Sequence, residues 1–122
     1  MFLGTVRRGP EDGPVDAIDY SAYEDMAEAE FDRILQEGAA RFPGVRLAAR
    51  HRLGSVAAGE PSVGVAAAAP HRTESFAACR WVIEEVKRRL PVWKRERLED
   101  GTTRWREGGP LPSGPPPSGA GR

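Results

Sequence analysis

The sequence predicts a single domain of the α+β class with two main helices, a mixed or antiparallel sheet and a C-terminal β-hairpin. Apolar residues recur at helical spacing in two stretches, 22–41 and 73–90. Segments of alternating apolar and polar residues, typical of half-buried strands, lie before and between them. After the second stretch, the Asp-Gly pair at 100–101 favours a tight hairpin turn.

Two short strands are predicted ahead of the first helix. Residues 1–6 are mostly apolar and begin at the initiator Met1, so we expect them to be the end of an element whose first part is absent. Residues 15–20 alternate as a second short strand would.

The first helix is predicted over residues 22–41. Ser21 and Glu24 have the spacing of a capping box, in which each side chain bonds to the backbone N–H of the other residue. Pro43 and Gly44 then end the helical pattern.

Two further strands are predicted between the helices. Residues 45–50 alternate as a half-buried strand does, and His51 with Arg52 at its end is interpreted as structural. Residues 62–69 contain only valine, glycine and alanine after Ser62, which favours a central strand with both faces covered.

The second helix is predicted after Thr73, its cap, and carries one apolar stripe. At 100° per residue, Lys87 lies about 40° from Ile83, at the edge of this stripe. The stripe consists of Phe76, Cys79, Ile83, Val86 and Leu90.

Composition excludes some classes of function. The 122 residues include 18 Lys and Arg and 18 Asp and Glu, so no overall charge draws the chain to nucleic acid or to an anionic membrane. The one cysteine, Cys79, cannot form an internal disulfide, and no apolar run approaches the ~20 residues of a membrane span. We therefore expect a cytoplasmic protein without nucleic-acid or membrane partners.

Two lysines flank the end of the second helix and are the first candidates for chemistry. Either the stem of Lys87 covers apolar surface, or its partly desolvated amine is suited to proton transfer or nucleophilic attack. Pro91 ends the helix and turns the chain, so Lys94 can fold back toward Lys87. Spacing alone leaves both interpretations of Lys87 open.

His71 and Arg72 lie where a predicted strand ends and the second helix begins. Free backbone N–H groups and the helix dipole favour an anion there, and the arginine fork suits phosphate or carboxylate. On spacing alone, both are equally well explained as solvated loop residues. The sequence contains no zinc-ligand spacing, phosphate-binding glycine loop or nucleophile elbow, and we expect no metal and no cofactor.

Several segments together resemble the family of catalytic large subunits of molybdopterin synthase. They occur in the order and approximate spacing of that family, over residues 2–105. They are FLGTVR, HRLG, GEPSVGV, PHRTESFAA, VKRRLPVWKRE and the pair Gly101 and Trp105. The resemblance implies an α/β hammerhead fold and a sulfurtransferase of molybdenum cofactor biosynthesis.

The resemblance also implies the reaction and the partners. Sulfur would pass from the C-terminal thiocarboxylate of a ubiquitin-like small subunit to cyclic pyranopterin monophosphate, forming the dithiolene of molybdopterin. The large subunits would form a homodimer. Lys87 and Lys94 match the functional lysines of the family, in the pocket that receives the tail of the small subunit.

Four more residues match the substrate side of that pocket. Arg7, His71 and Arg72 match its basic residues, and Phe2 matches an aromatic residue that lines it. The alternative functions are a non-catalytic, degenerate subunit and a module that binds a phosphorylated ligand or RNA through the same basic side chains.

The ends of the chain differ from the family pattern. The family-like domain is expected over residues 1–107, with a helix and a strand missing before it. Residues 108–122 are rich in glycine and proline and are expected to form a disordered tail.

Overall fold

The computed structural model describes residues 1–7 and 15–105, which form two helices and seven strands. The helices are α1 (Glu24–Arg41) and α2 (Arg72–Arg89). The strands are β1 (Phe2–Thr5), β2 (Val15–Ser21), β3 (Arg46–His51), β4 (Gly54–Ala57), β5 (Pro61–Ala68), β6 (Trp93–Leu98) and β7 (Thr103–Trp105). The predicted tail, 108–122, lies outside the described residues.

The strands form two antiparallel sheets instead of the expected single sheet. One sheet has the order β1-β5-β3, and the other has the order β4-β2-β6-β7. The edge strand of the second sheet is β4, which the sequence analysis missed. It begins at Gly54, whose φ of 87° lets the chain turn sharply after β3 and pair with β2. The α+β class, the two helices and the hairpin are confirmed.

Both helices pack near the first sheet, and the core lies between them and the strands. α2 packs on β5, and α1 packs on β3 and α2. A Cβ atom built on Gly38 of α1 would lie 2.8 Å from Cδ1 of Leu47 in β3, so glycine is what permits this close approach. The most deeply buried large side chains are Ile18, Ile34, Val15, Val56, Val65 and Val82.

Both predicted helix caps are wrong. α1 begins at Glu24, so Ser21 is the last residue of β2 and is buried with that strand. α2 begins at Arg72, so Thr73 lies inside the first turn. Neither N-cap residue makes a side-chain capping bond. In the described part of the chain, neither helix is long and apolar enough to cross a membrane.

The apolar stripe of α2 is rotated relative to the predicted one. Phe76 is 67% exposed and is not a core residue. It lies roughly 80° from the centre of the buried face at 100° per residue. That face consists of Ala78, Cys79, Val82, Ile83 and Val86.

Candidate active site

Lys87 stands out among the three basic residues in the last turn of α2. Arg88 Nε donates to Glu85 at 2.9 Å, and Arg89 Nε donates to Glu30 at 2.8 Å. Lys87 is exposed and has no hydrogen-bond or ion-pair partner within residues 1–7 and 15–105. It is therefore the cation of this turn that is available to a ligand.

Lys94 lies beyond the short connection that follows α2. It is the second residue of β6, is half-buried, and is opposite Tyr20 of β2. Residues 90–92 join α2 to β6, and the N–H of Val92 donates to the carbonyl of Leu90 at 2.9 Å. This tight connection keeps both lysines near the C-terminal end of α2.

Arg7 is held at the end of β1 by its neighbour. The N–H of Val6 donates to the Glu60 carbonyl at 3.0 Å, and the Val6 carbonyl accepts from the N–H of Gly59 at 2.8 Å. β1 runs antiparallel to β5 with Thr5 opposite Pro61, so Arg7 lies at the N-terminal end of β5. The Arg7 side chain is exposed there.

The C-terminal end of α2 lies at the same end of β5. Cys79 Sγ donates to the Val65 carbonyl at 3.5 Å, which fixes the middle of the helix against the middle of the strand. Further along α2, Leu90 lines a cavity together with His51, and His51 is opposite Val63 near the start of β5. Helix and strand therefore run in opposite directions.

The predicted site residues fall into two groups. Lys87, Lys94 and Arg7 share one end of the molecule. His71 and Arg72 lie at the other end, because Arg72 and Lys87 are separated by almost the whole of α2, about 22 Å at 1.5 Å per residue.

Phe2 lies between the two groups, and the N-terminus of α2 carries the second group. Phe2 is opposite Val65 in the middle of β5 and is 37% exposed. His71 precedes α2 in extended conformation, and both His71 and Arg72 are exposed. Both residues lie next to the backbone N–H groups of the first turn of α2, which have no partner within the helix and favour an anion.

A cavity of about 600 Å³ lies between α1, the end of β3 and the connection from α2 to β6. Leu90, Val92 and Phe31 provide apolar lining. Glu24, Glu28 and Asp32 line it from α1. The sequence analysis did not identify these three acidic residues as a group. Their spacing of i, i+4 and i+8 places them on one face of a helix, which the sequence alone could have indicated.

His51 lines the same cavity, and its surroundings change its pKa. Burial lowers the pKa of the imidazole, and the nearby charge of Lys94 lowers it further, while a bond to the Arg52 carbonyl opposes both. The sequence analysis placed His51 at a strand end as a structural residue and did not connect it with Lys94.

Known proteins resemble this chain over most of its length. A family model described as the MoaE protein matches residues 1–89. The molybdopterin synthase catalytic subunit of Pyrococcus abyssi is 44% identical over 108 residues, covering 88% of this chain and 72% of that protein. The catalytic subunit of Oryza sativa subsp. indica is 47% identical over 106 residues, covering 87% of this chain. This chain spans 54% of the length of the rice protein.

A solved structure has the same fold. The molybdopterin synthase of Staphylococcus aureus superposes with a TM-score of 0.81 at 31% identity, and the match covers 88% of this chain and 77% of that chain. Sequence and fold agree, and the chain belongs to the MoaE protein family, the family of molybdopterin synthase catalytic subunits.

Proposed function

We propose that this chain is the catalytic subunit of a molybdopterin synthase in molybdenum cofactor biosynthesis. It would take sulfur from the C-terminal thiocarboxylate of a ubiquitin-like small subunit and transfer it to cyclic pyranopterin monophosphate, building the dithiolene of molybdopterin. The observation that carries this proposal is family membership combined with the position of Lys87 and Lys94, which lie close to the same end of α2.

The two lysines suit the chemistry that the reaction requires. Opening a cyclic phosphate and exchanging oxygen for sulfur both need proton transfers, which a positioned amine can provide. Lys87 is exposed and unpaired in the described part of the chain, so it can meet an incoming thiocarboxylate tail. Lys94 is half-buried beside the cavity residue His51, so its position is more restricted.

The second group of basic residues suits the phosphate of the substrate. Arg72 offers a fork of N–H donors, and His71 lies at a helix N-terminus where backbone N–H groups favour an anion. Arg7 lies with the lysines, at the other end of β5.

Because about 22 Å of helix separates Arg72 from Lys87, we assign the two to different subunits of one site. A homodimer with two-fold symmetry would bring Arg72 of one copy to Lys87 of the other, and would do so twice. Phe2, between the two groups along β5, would line the pocket.

We place the reaction in the cytoplasm. The single cysteine, Cys79, is a buried free thiol, and no intrachain disulfide is available to this sequence. This agrees with the reducing compartment in which disulfides are rare.

The test is reconstitution. The purified chain is mixed with thiocarboxylated small subunit and cyclic pyranopterin monophosphate, and formation of molybdopterin is measured. The control is the same small subunit with an ordinary carboxylate, which should give no product. A chain that binds the small subunit without forming product would be the degenerate subunit, and the proposal would be wrong.

A further inference from the structure

His51 has no role in the proposed reaction, yet its surroundings are unusually well defined. It ends β3, is half-buried, and packs edge-on against Tyr20 with ring centroids 5.0 Å apart and planes at 76°. Its Nδ1 lies 2.7 Å from the carbonyl oxygen of Arg52. Because a carbonyl oxygen can only accept, Nδ1 carries the proton, and Nε2 of the neutral ring is an acceptor.

Lys94 approaches the same tyrosine from the second sheet. It is directly opposite Tyr20 in the antiparallel pair of β2 and β6. Side chains of directly opposed residues lie on the same face of a sheet, with Cβ atoms about 5 Å apart. Tyr20 is only 5% exposed and belongs to the core, so its ring is fixed. His51 and Lys94 therefore share one rigid neighbour.

The electrostatics of this cluster point to a neutral imidazole. Burial is the main reason that the pKa of His51 is lowered, and the positive charge of Lys94 adds to the effect. Such coupling is reciprocal, so protonation of His51 would equally disfavour the ammonium form of Lys94. The lowered pKa favours the uncharged ring at neutral pH, so no positive charge on His51 repels the ammonium group of Lys94.

We infer that His51 is a positioning residue for Lys94: the imidazole is fixed against Tyr20 and leaves its unprotonated Nε2 as an acceptor toward which the neighbouring ammonium group can turn during the reaction. The inference rests on the proposed function, because that function places Lys94 in the active site. His51 acts through Lys94. Its neutral ring offers an acceptor near the ammonium group without adding a second positive charge.

Other charged groups face the same space and must be held constant in any test. α1 contributes Glu24, Glu28 and Asp32, and β3 contributes Arg50. These side chains act alike on the parent and on variants of His51 or Lys94. A comparison of parent and variant therefore isolates the coupling between the two residues.

The first test needs only the purified chain. The sequence contains two histidines, so their ring resonances can be followed separately by NMR as the pH is varied. Lys94→Met should raise the pKa of His51, because a nearby positive charge is removed. His71, exposed at the other end of α2, is the internal control and should not move. An unchanged His51, or equal shifts at both histidines, would overturn the inference.

The second test measures activity with the thiocarboxylated small subunit. His51→Phe keeps a ring against Tyr20 but removes both nitrogens, so kcat should fall about tenfold or more while the KM for the precursor stays within about threefold. His51→Gln, whose amide can accept a hydrogen bond, should recover part of kcat. A purely structural role would instead lower the melting temperature of both variants without this recovery.

The outcomes separate this inference from the proposed function. An active parent with an equally active His51→Phe variant contradicts the positioning role alone. A parent that forms no molybdopterin contradicts the proposed function, and the NMR titration still decides whether His51 and Lys94 are coupled. If His51→Phe does not fold, the NMR titration remains as the test. It uses Lys94→Met, which changes only a half-exposed side chain.

Discussion

The buried carboxylate of Asp19 is bound by Arg97 across the pair of β2 and β6. Arg97 Nη2 lies 3.2 Å from Oδ1 and 3.1 Å from Oδ2 of Asp19. Asp19 is 2% exposed, whereas the side chain of Arg97 is 44% exposed. Arg95 Nη2 lies 3.8 Å from the same carboxylate. The buried charge of Asp19 is thus compensated by arginine side chains of the neighbouring strand β6, which also carries Lys94.

Asp19→Asn should destabilise the domain. The substitution leaves Arg97 able to turn to water, so the expected loss is that of a charged hydrogen bond, about 1.5 to 3 kcal/mol. Urea denaturation of parent and variant measures this difference. Asp32→Asn, at an exposed position on α1, is the control and should change the free energy of unfolding by less. Equal losses at the two positions would show that the Arg97 contact contributes nothing.

Arg89→Gln should destabilise the domain in a pH-dependent way. Arg89 of α2 donates to Glu30 of α1, and this bond is the main reason that the pKa of Glu30 is lowered. A lowered carboxyl pKa adds stability above the unfolded value, near 4.5, and that stability is lost as the pH falls through the folded value. Parent and variant should differ by about 1 kcal/mol at pH 7, and the difference should shrink below about pH 4.

The control for that prediction is the pair of Arg80 and Glu84. These residues also form an ion pair at 2.9 Å, but their side chains are 81% and 62% exposed. Arg80→Gln should therefore leave the stability almost unchanged at every pH. A pH-independent loss in Arg89→Gln would mean that Arg89 contributes by packing and not through Glu30 and Glu37, the two carboxylates that it contacts at 2.7 Å.

Gly101→Ala should weaken the β6–β7 hairpin. Gly101 has a φ of 87°, and its N–H donates to the Leu98 carbonyl at 2.9 Å. No atom lies within 4 Å of a Cβ built there, so the whole cost is backbone strain, about 1 kcal/mol. Gly101→Asn should cost less, because asparagine tolerates this conformation. Equal melting temperatures for Gly101→Ala and the parent would contradict the strained turn.

Most of the fold was predictable because local patterns agree with the final packing. The helices, the central position of β5 and the Asp100-Gly101 turn all follow from periodicity or turn chemistry. β4 was missed because four residues are too few for a period-2 pattern to stand out. The capping prediction at Ser21 failed because burial of that residue in β2 outweighs a local capping bond.

The sequence predicts candidate site residues one by one, but it does not predict their spatial arrangement. Motifs identify His71, Arg72, Lys87 and Lys94, yet no local pattern reveals how α2 lies along β5. The predicted helix already sets Arg72 about 22 Å from Lys87, but only the fold shows that Arg7 lies at the Lys87 end. The cluster around His51 was likewise hidden, because Tyr20 and Lys94 lie far apart in the sequence and meet only through the register of β2 and β6.

The separation of Arg72 from Lys87 predicts complementation between inactive variants. Lys87→Ala and Arg72→Ala should each lack activity as homodimers. Mixed after unfolding and refolding together, they should form heterodimers in which one of the two sites has both residues intact. Random pairing makes half of the dimers mixed, so about a quarter of the parent activity should return.

The matched control is a mixture of Lys87→Ala and Lys94→Ala. Both lysines lie at the same end of one chain, so each site of a mixed dimer lacks one of them, and no activity should return. Recovery in the first mixture but not in the second supports a site shared between two copies. No recovery in either mixture, with heterodimers confirmed by mass spectrometry, would show that each chain builds its site alone and that the substrate spans the two ends of α2.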